Sequence, residues 1–329
     1  MKALVYTGPE SLSYHDMPDP VPAAGEVLLR VDRVGICGSD MHAYLGHDER
    51  RPAPLILGHE VAGTVQTGAN IGQRVTVNPL VTCGTCPACT SGRDNLCPKR
   101  QIISMQPREG GFAELLAMPE GNLVAVPDAV DSAVAALAEP IACGWHAVRM
   151  GRRVLGDTPD PQALVIGGGA IGLGAALSLR AQGIASVLIL EPNATRRQYL
   201  LQTTEFAVIA PDSLDPAALF DVVIDGVGFA ATRATASAQA RPGGVIVHIG
   251  LGAADGGLDI RRMTLQEITF IGTYTYTAQD FRDTAQAMFA GRMGALDWIE
   301  TRPLSDGARA FADLRSGAVA APKIVLNPR

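Results

Sequence analysis

Residues 83–97, CGTCPACTSGRDNLC, hold four of the chain's six cysteines. Cys83, Cys86, Cys89 and Cys97 are separated by two, two and seven residues, so one turn-rich loop can aim four thiolates at a common centre. Four thiolates at this spacing suit a closed, tetrahedral zinc site of the structural kind. A pair of disulfides and an iron–sulfur cluster use the same residues, and zinc suits them better than either. A second set is spread over GICGSDMH (35–42), LGHE (57–60) and LAEP (137–140). Cys37, His59, Glu60 and Glu139 offer one thiolate, one imidazole and two carboxylates. Two or three such ligands leave a position open for water or substrate, the mark of a catalytic metal. Any one of these residues alone would more often be a packed or hydrogen-bonded core residue.

A third motif, GGGAIG (167–172), follows the apolar run ALVI. Gly167, Gly169 and Gly172 satisfy G-x-G-x-x-G, with Ala170 and Ile171 opening a helix. In a chain with 36 glycines the pattern gains its meaning from that context. After a strand and before a helix, backbone N–H groups at the positive helix end can receive a pyrophosphate, which a Cβ at Gly169 would obstruct. Glu191 ends the next strand, nineteen residues beyond Gly172. A carboxylate there suits the adenosine ribose hydroxyls and favours NAD over NADP, whereas Arg196 and Arg197 could instead pair with a 2′-phosphate. Gly226 and Ile249, at the ends of later strands, complete the expected cofactor-binding set.

Two kinds of element must position these residues. Up to about Leu137 the chain reads as short β segments broken by Gly and Pro: KALVYTG, EVLLRVDRVGICGSD, EVAGTV, RVTVNPL and LVAVPD. Beyond GRRVLGDTPDP, buried apolar strands at 163–167, 186–190, 221–225 and 243–250 alternate with the helical segments AIGLGAALSLRAQG, ATRRQYLLQTTE and FAATRATASAQA. That alternation implies a doubly wound parallel sheet. The apolar EITFIGTYTYT suits an edge strand that pairs with its twin in a dimer, or an internal strand.

The totals narrow the function. A chain of 329 residues accommodates two domains. A net charge of −6 with a pI near 5.5 disfavours nucleic acid or an anionic membrane as partner and leaves small molecules. No signal-peptide pattern or long apolar run stands in the sequence, so a soluble, cytoplasmic protein is expected.

Taken in order, GICGSDMH, GHE, the four-cysteine loop, EP at 139–140 and GGGAIG resemble the zinc-dependent medium-chain dehydrogenase/reductase family, in its polyol (sorbitol-like) and threonine dehydrogenase branch. The resemblance spans the whole chain. It implies an α/β fold: a β-rich GroES-like catalytic domain (1–137 and 273–329) carrying the zinc lobe, and a Rossmann domain (138–272) for NAD. It also implies two zinc ions per chain and a homodimer or homotetramer. Carried over residue by residue, Cys37, His59 and Glu60 are ligands of the catalytic zinc, and Glu139 binds that zinc or holds its water. Asp40 orients the histidine, and Ser39 and His42 form a proton relay. Cys143 is expected to be a small buried residue.

The implied reaction moves a hydride from a secondary alcohol to NAD and gives a ketone, in a cleft between the domains. The substrate is a polyol, a sugar derivative or a short diol, with L-threonine-type oxidation or a catalytically silent NAD-binding, redox-sensing protein as alternatives. Two departures concern sorbitol itself: Ala43 and Tyr44 follow His42 where polyol enzymes place a tyrosine, and Thr275 stands where they carry an arginine. The segment QTGANIGQRV is shorter than in most relatives. Phe112, Trp145, Tyr274 and Tyr276 suit either cleft walls or packing.

Overall fold

A computed structural model describes residues 1–329. The chain forms two compact units, one of residues 1–139, 277–289 and 299–329 and one of residues 140–276 and 290–298. The bounds that the resemblance implies, 137/138 and 272/273, lie within a few residues of these and leave out the excursion of 290–298. Side chains explain it: Arg180 donates from Nη2 to the Met293 carbonyl, and the Arg292 guanidinium lies 6.0 Å from the Trp145 ring centroid.

In the first unit the Glu26–Gly35 strand is central in a seven-stranded sheet. It runs antiparallel to Glu60–Val65, Leu115–Pro119 and Lys323–Asn327. Val27, Leu29 and Val31 are buried and alternate with partly exposed residues, the period-two pattern of a strand with one face on a core. The expected extended run through Asp40 stops at Gly35. A helix, Gly38–Tyr44, begins instead, because the Asp40 side chain turns back to accept the Cys37 backbone N–H at 3.0 Å and satisfies a donor that a helix start leaves orphaned. The shortened segment 66–73 is the link between the antiparallel Glu60–Val65 and Arg74–Val77 strands. Leu80–Val81 and Gln101–Ile102 pair as a two-stranded neck beneath the cysteine loop.

The second unit is a six-stranded, fully parallel sheet. From edge to edge its strands are 207–209, 186–190, 162–166, 220–225, 240–248 and 269–272. Leu164, Val165, Val223, Ile224, Ile246 and Val247 have no exposed surface, as strands covered on both faces require. The helices Ala170–Ala181, Ala194–Thr203 and Ala230–Gln239 fall on the three segments with helical spacing. The order reverses at Gln162–Ile166, which makes the end of that strand the switch point where such sheets bind ligands. Thr269–Gly272 is an edge strand. No helix is long and apolar enough to cross a membrane.

Candidate active site and metal centres

The cysteine loop assembles as its spacing requires. Cys83 and Cys89 sulfurs lie 4.0 Å apart, Cys86 and Cys89 3.5 Å, and Cys97 and Cys83 3.6 Å. Sulfurs on a tetrahedron with metal–sulfur bonds of about 2.3 Å stand about 3.8 Å apart, so the cluster has the size of a closed zinc site. The separations exceed a disulfide bond by well over an ångström, and all six cysteines are free. Backbone N–H groups of Thr85 and Cys86 lower the Cys83 pKa to about 6, while burial and the Cys86 thiol push Cys89 up to about 11. Cys83 is thus the thiol of the pair more readily ionised.

The second centre lies where the central strand of the first unit ends. Cys37 follows that strand, and Gly35 pairs in register with Glu60 on one side and Val325 on the other. The ligand atoms of Cys37, His59 and Glu60 lie within 4.8 Å of one another. His59 Nδ1 is 3.4 Å from Asp40 Oδ1 and 3.3 Å from Ser104 Oγ, which leaves Nε2 to face a cation. Burial opposes charge on His59, yet the Asp40 carboxylate and the Cys37 thiol hold its pKa well above the usual value. Burial likewise raises Asp40, and His59 and Arg51 more than offset it, so Asp40 stays ionised. Asp40 therefore caps the helix and orients the histidine together.

Glu60 carries the decisive detail. It is fully buried; Oε1 accepts from Lys323 Nζ at 2.5 Å, and Oε2 has no hydrogen-bond partner. A buried carboxylate oxygen left unpaired beside a thiol and an imidazole has the surroundings that suit a metal ligand. The donor set of sulfur, nitrogen and oxygen fits zinc and retains room for an exogenous ligand. Glu139, buried in the first turn of the Ala138–Leu155 helix, stands outside that three-residue set but near enough to Lys323 to act on its charge. Ser39 is half-buried and His42 exposed, on the same short helix.

At the glycine loop, Gly167 takes φ 101°, open to a residue without Cβ, and a Cβ at Gly172 would strike the Gly167 carbonyl. A Cβ at Gly169, the residue capping the Ala170–Ala181 helix, would meet nothing and would fill the space over the helix start. Glu191 Oε2 accepts the Gly168 N–H at 2.9 Å and Oε1 the Asn193 N–H at 2.8 Å. The carboxylate is thereby aimed along the loop with lone pairs to spare. The cradle fits a dinucleotide. Gly226 packs on Gly172 and bonds the Ile166 carbonyl, Ile249 bonds the Asp225 carbonyl, and Arg196 lies in the first turn of the Ala194–Thr203 helix.

Other expectations are amended. Cys143 is half-exposed rather than buried, because the neighbouring Gly144 takes the tight position against Ala175. Phe112 has no exposed surface and meets Phe311 edge-on, so it is packing. Tyr276 and Trp145 are also buried. Thr275 adopts φ 45°, costly for a β-branched residue, and its buried hydroxyl lacks a partner. Sequence reasoning missed Lys323, Ser104 and Arg51. Ser104 was detectable in principle only through its backbone, a φ of 69° that no residue pattern announces.

Residues 23–128 match the alcohol dehydrogenase GroES-like domain family, and residues 170–290 the zinc-binding dehydrogenase family. L-galactonate-5-dehydrogenase of Escherichia coli K12 is 34% identical over 310 residues, covering 90% of this chain and 89% of its own. The chain belongs to the zinc-binding, GroES-like alcohol dehydrogenase family. Another relative, 2-dehydro-3-deoxy-L-galactonate 5-dehydrogenase of Pseudoalteromonas atlantica, is 31% identical and covers 95% of each chain. Among solved structures, acetophenone reductase of Geotrichum candidum in complex with NAD is 27% identical with a TM-score of 0.86, covering 99% of this chain and 96% of its own. The family's two matched regions contain the Cys37, His59 and Glu60 cluster with the four-cysteine loop, and most of the parallel sheet, respectively.

Proposed function

We propose that this dehydrogenase oxidises a secondary alcohol of a sugar acid or related polyol to the ketone, with NAD as hydride acceptor. The observation that carries the reading is the unpaired, buried Glu60 Oε2 beside Cys37 and His59. When bound, zinc supplies the Lewis acidity that lowers a hydroxyl pKa, and NAD supplies the acceptor for hydride. The chain's residues do the rest. Cys37, His59 and Glu60 hold the metal, with Glu139 close at hand, and Asp40 fixes the histidine tautomer. Ser39 takes the hydroxyl proton and His42, exposed, hands it to water. The glycine loop holds the pyrophosphate and Glu191 the ribose. Cys83, Cys86, Cys89 and Cys97 hold a second, structural zinc.

A sugar acid is favoured within the substrate class because two relatives at 34% and 31% identity are named as 5-dehydrogenases of such acids. The edge strand Thr269–Gly272, with exposed Leu265 and Ile260 just before it, supports a homo-oligomer. The test is metal content followed by NAD reduction at 340 nm with aldonates, polyols, diols and L-threonine. Two zinc per chain with strong turnover of an aldonate or polyol is expected. One zinc and NAD binding without turnover of any alcohol would make the protein a binding or sensing one instead.

A further inference from the structure

Arg51 lies outside every motif considered above, in the charged run HDERR, yet its side chain is only 2% exposed. An arginine so buried must place its donors, and four hydrogen bonds show where they go. Nε donates to the Ser104 carbonyl at 2.9 Å. Nη1 donates to the Ser39 carbonyl at 3.1 Å and to Asp48 Oδ2 at 2.8 Å. Nη2 reaches the Ser39 hydroxyl at 3.4 Å. The guanidinium thus joins the relay serine to the serine whose own hydroxyl touches the metal-facing His59.

The geometry points to Arg51 as the positioning residue of the proton relay, holding the Ser39 hydroxyl in the one orientation that passes a proton outward. The inference rests on the dehydrogenase reading and extends it. A guanidinium donates and never accepts. Where Nη2 donates to Ser39 Oγ, the serine's own proton must point away from Arg51, and the fixed Ser39 carbonyl stops the helix turn from rotating the hydroxyl back. As the alcohol proton arrives at Ser39 Oγ, the serine's own proton leaves on the side away from Arg51, toward His42 and water; bound NAD would supply the acceptor for the hydride. Arg51 keeps all its protons throughout. Lysine cannot substitute, since a point donor cannot serve Ser104, Asp48 and Ser39 together.

The test compares Arg51→Lys, Ser39→Ala and the double variant with wild type, using zinc content, NAD affinity and steady-state turnover. Arg51→Lys is expected to keep two zinc and wild-type NAD affinity while kcat falls by about tenfold to a hundredfold. The same change in the Ser39→Ala background is expected to cost nothing further, because residues acting as a unit are not additive. Binding of a tertiary alcohol, which offers a hydroxyl but no hydride, is read by calorimetry and should weaken in Arg51→Lys and not further in the double variant. Should Arg51→Lys lose zinc or misfold, Arg51→Ala with added guanidinium replaces it, and recovery of kcat by guanidinium but not by methylammonium is the expected result. An unchanged kcat in Arg51→Lys, additive losses in the double variant, or no rescue in a folded Arg51→Ala would overturn the role of Arg51 while an active wild type preserves the dehydrogenase reading. A wild type that neither binds nor oxidises any alcohol would overturn both.

Discussion

At the scale of single residues, the open metal centre depends on what is missing at position 35. Lys323 stands two residues before Val325, the sheet partner of Gly35, and reaches Glu60 on the other neighbouring strand. A Cβ at Gly35 would lie on the Glu60 carboxylate. Gly35→Ala is therefore expected to displace Glu60 and lower bound zinc from two toward one per chain, measured by plasma mass spectrometry, with turnover falling in step. Lys323→Met leaves Glu60 buried without its partner, and in metal-free protein this should cost about 3–5 kcal/mol in denaturant unfolding. Undiminished zinc in the first variant or unchanged stability in the second would count against this arrangement. Cys37, Asp40, His59 and Glu60 were legible because rare, reactive types crowd two short motifs. Lys323 was not, since it lies 263 positions from Glu60 and only sheet register brings the two together. Arg51 was hidden for another reason: in a run of charged residues a buried arginine looks like a solvated one.

Among elements, the parallel sheet could be read strand by strand, because strands covered on both faces are unbroken apolar runs. The first unit was less legible where local hydrogen bonds compete with extended structure. Asp40 limits the Glu26–Gly35 strand in this way, and nothing in the apolar pattern distinguishes it from an exposed strand residue. A comparable carboxylate, Asp225, closes the turn after the Phe220–Asp225 strand. It accepts from the N–H groups of Val227 at 3.0 Å and Gly228 at 2.9 Å and from the Thr232 hydroxyl at 3.0 Å, with His248 Nδ1 at 3.1 Å. Burial raises its pKa, and His248 with these donors holds it below the ordinary value. A carboxylate depressed in the folded state stabilises fully above its unfolded pKa of about 3.9 and loses that contribution as pH falls through the lower folded value. Asp225→Asn should cost about 1–3 kcal/mol at pH 7, and the gap from wild type should close as pH falls toward 3. A gap independent of pH would show that the carboxylate charge is not what holds the turn. The cysteine loop stands on its two-stranded neck and is tied to the rest of its unit where Asp94 Oδ2 accepts the Ala278 N–H at 2.9 Å. Cys89→Ser is expected to remove one zinc and lower the thermal midpoint by about 3 °C, the shift that about 2 kcal/mol gives in a chain of this length, while kcat measured well below that midpoint stays near wild type.

For the whole molecule, the choice of cofactor couples the sequence motif to stability as well as to chemistry. Glu191 is held by two backbone N–H groups, so it cannot swing away from a ligand seated on the glycine loop without leaving those donors unpaired. A 2′-phosphate brought there meets a fixed negative charge, whereas ribose hydroxyls meet an acceptor already aimed. Arg197 does not cancel this. Arg197 Nη1 is bonded to the carbonyls of Glu191 and Pro192, which turns it onto its own backbone. Binding to the folded state alone stabilises by about 2.7 kcal/mol at a ligand concentration one hundred times Kd. For a chain of 329 residues that corresponds to a rise of about 4 °C in the midpoint, each kcal/mol being worth about 1.5 °C. NAD should produce such a rise at a concentration where NADP produces almost none. Glu191→Ala should narrow the difference from both sides, weakening NAD through lost ribose contacts and admitting NADP by removing the repulsion. Equal shifts by the two nucleotides in wild-type protein would mean that Glu191 is engaged with the loop alone and that the arginines decide the cofactor.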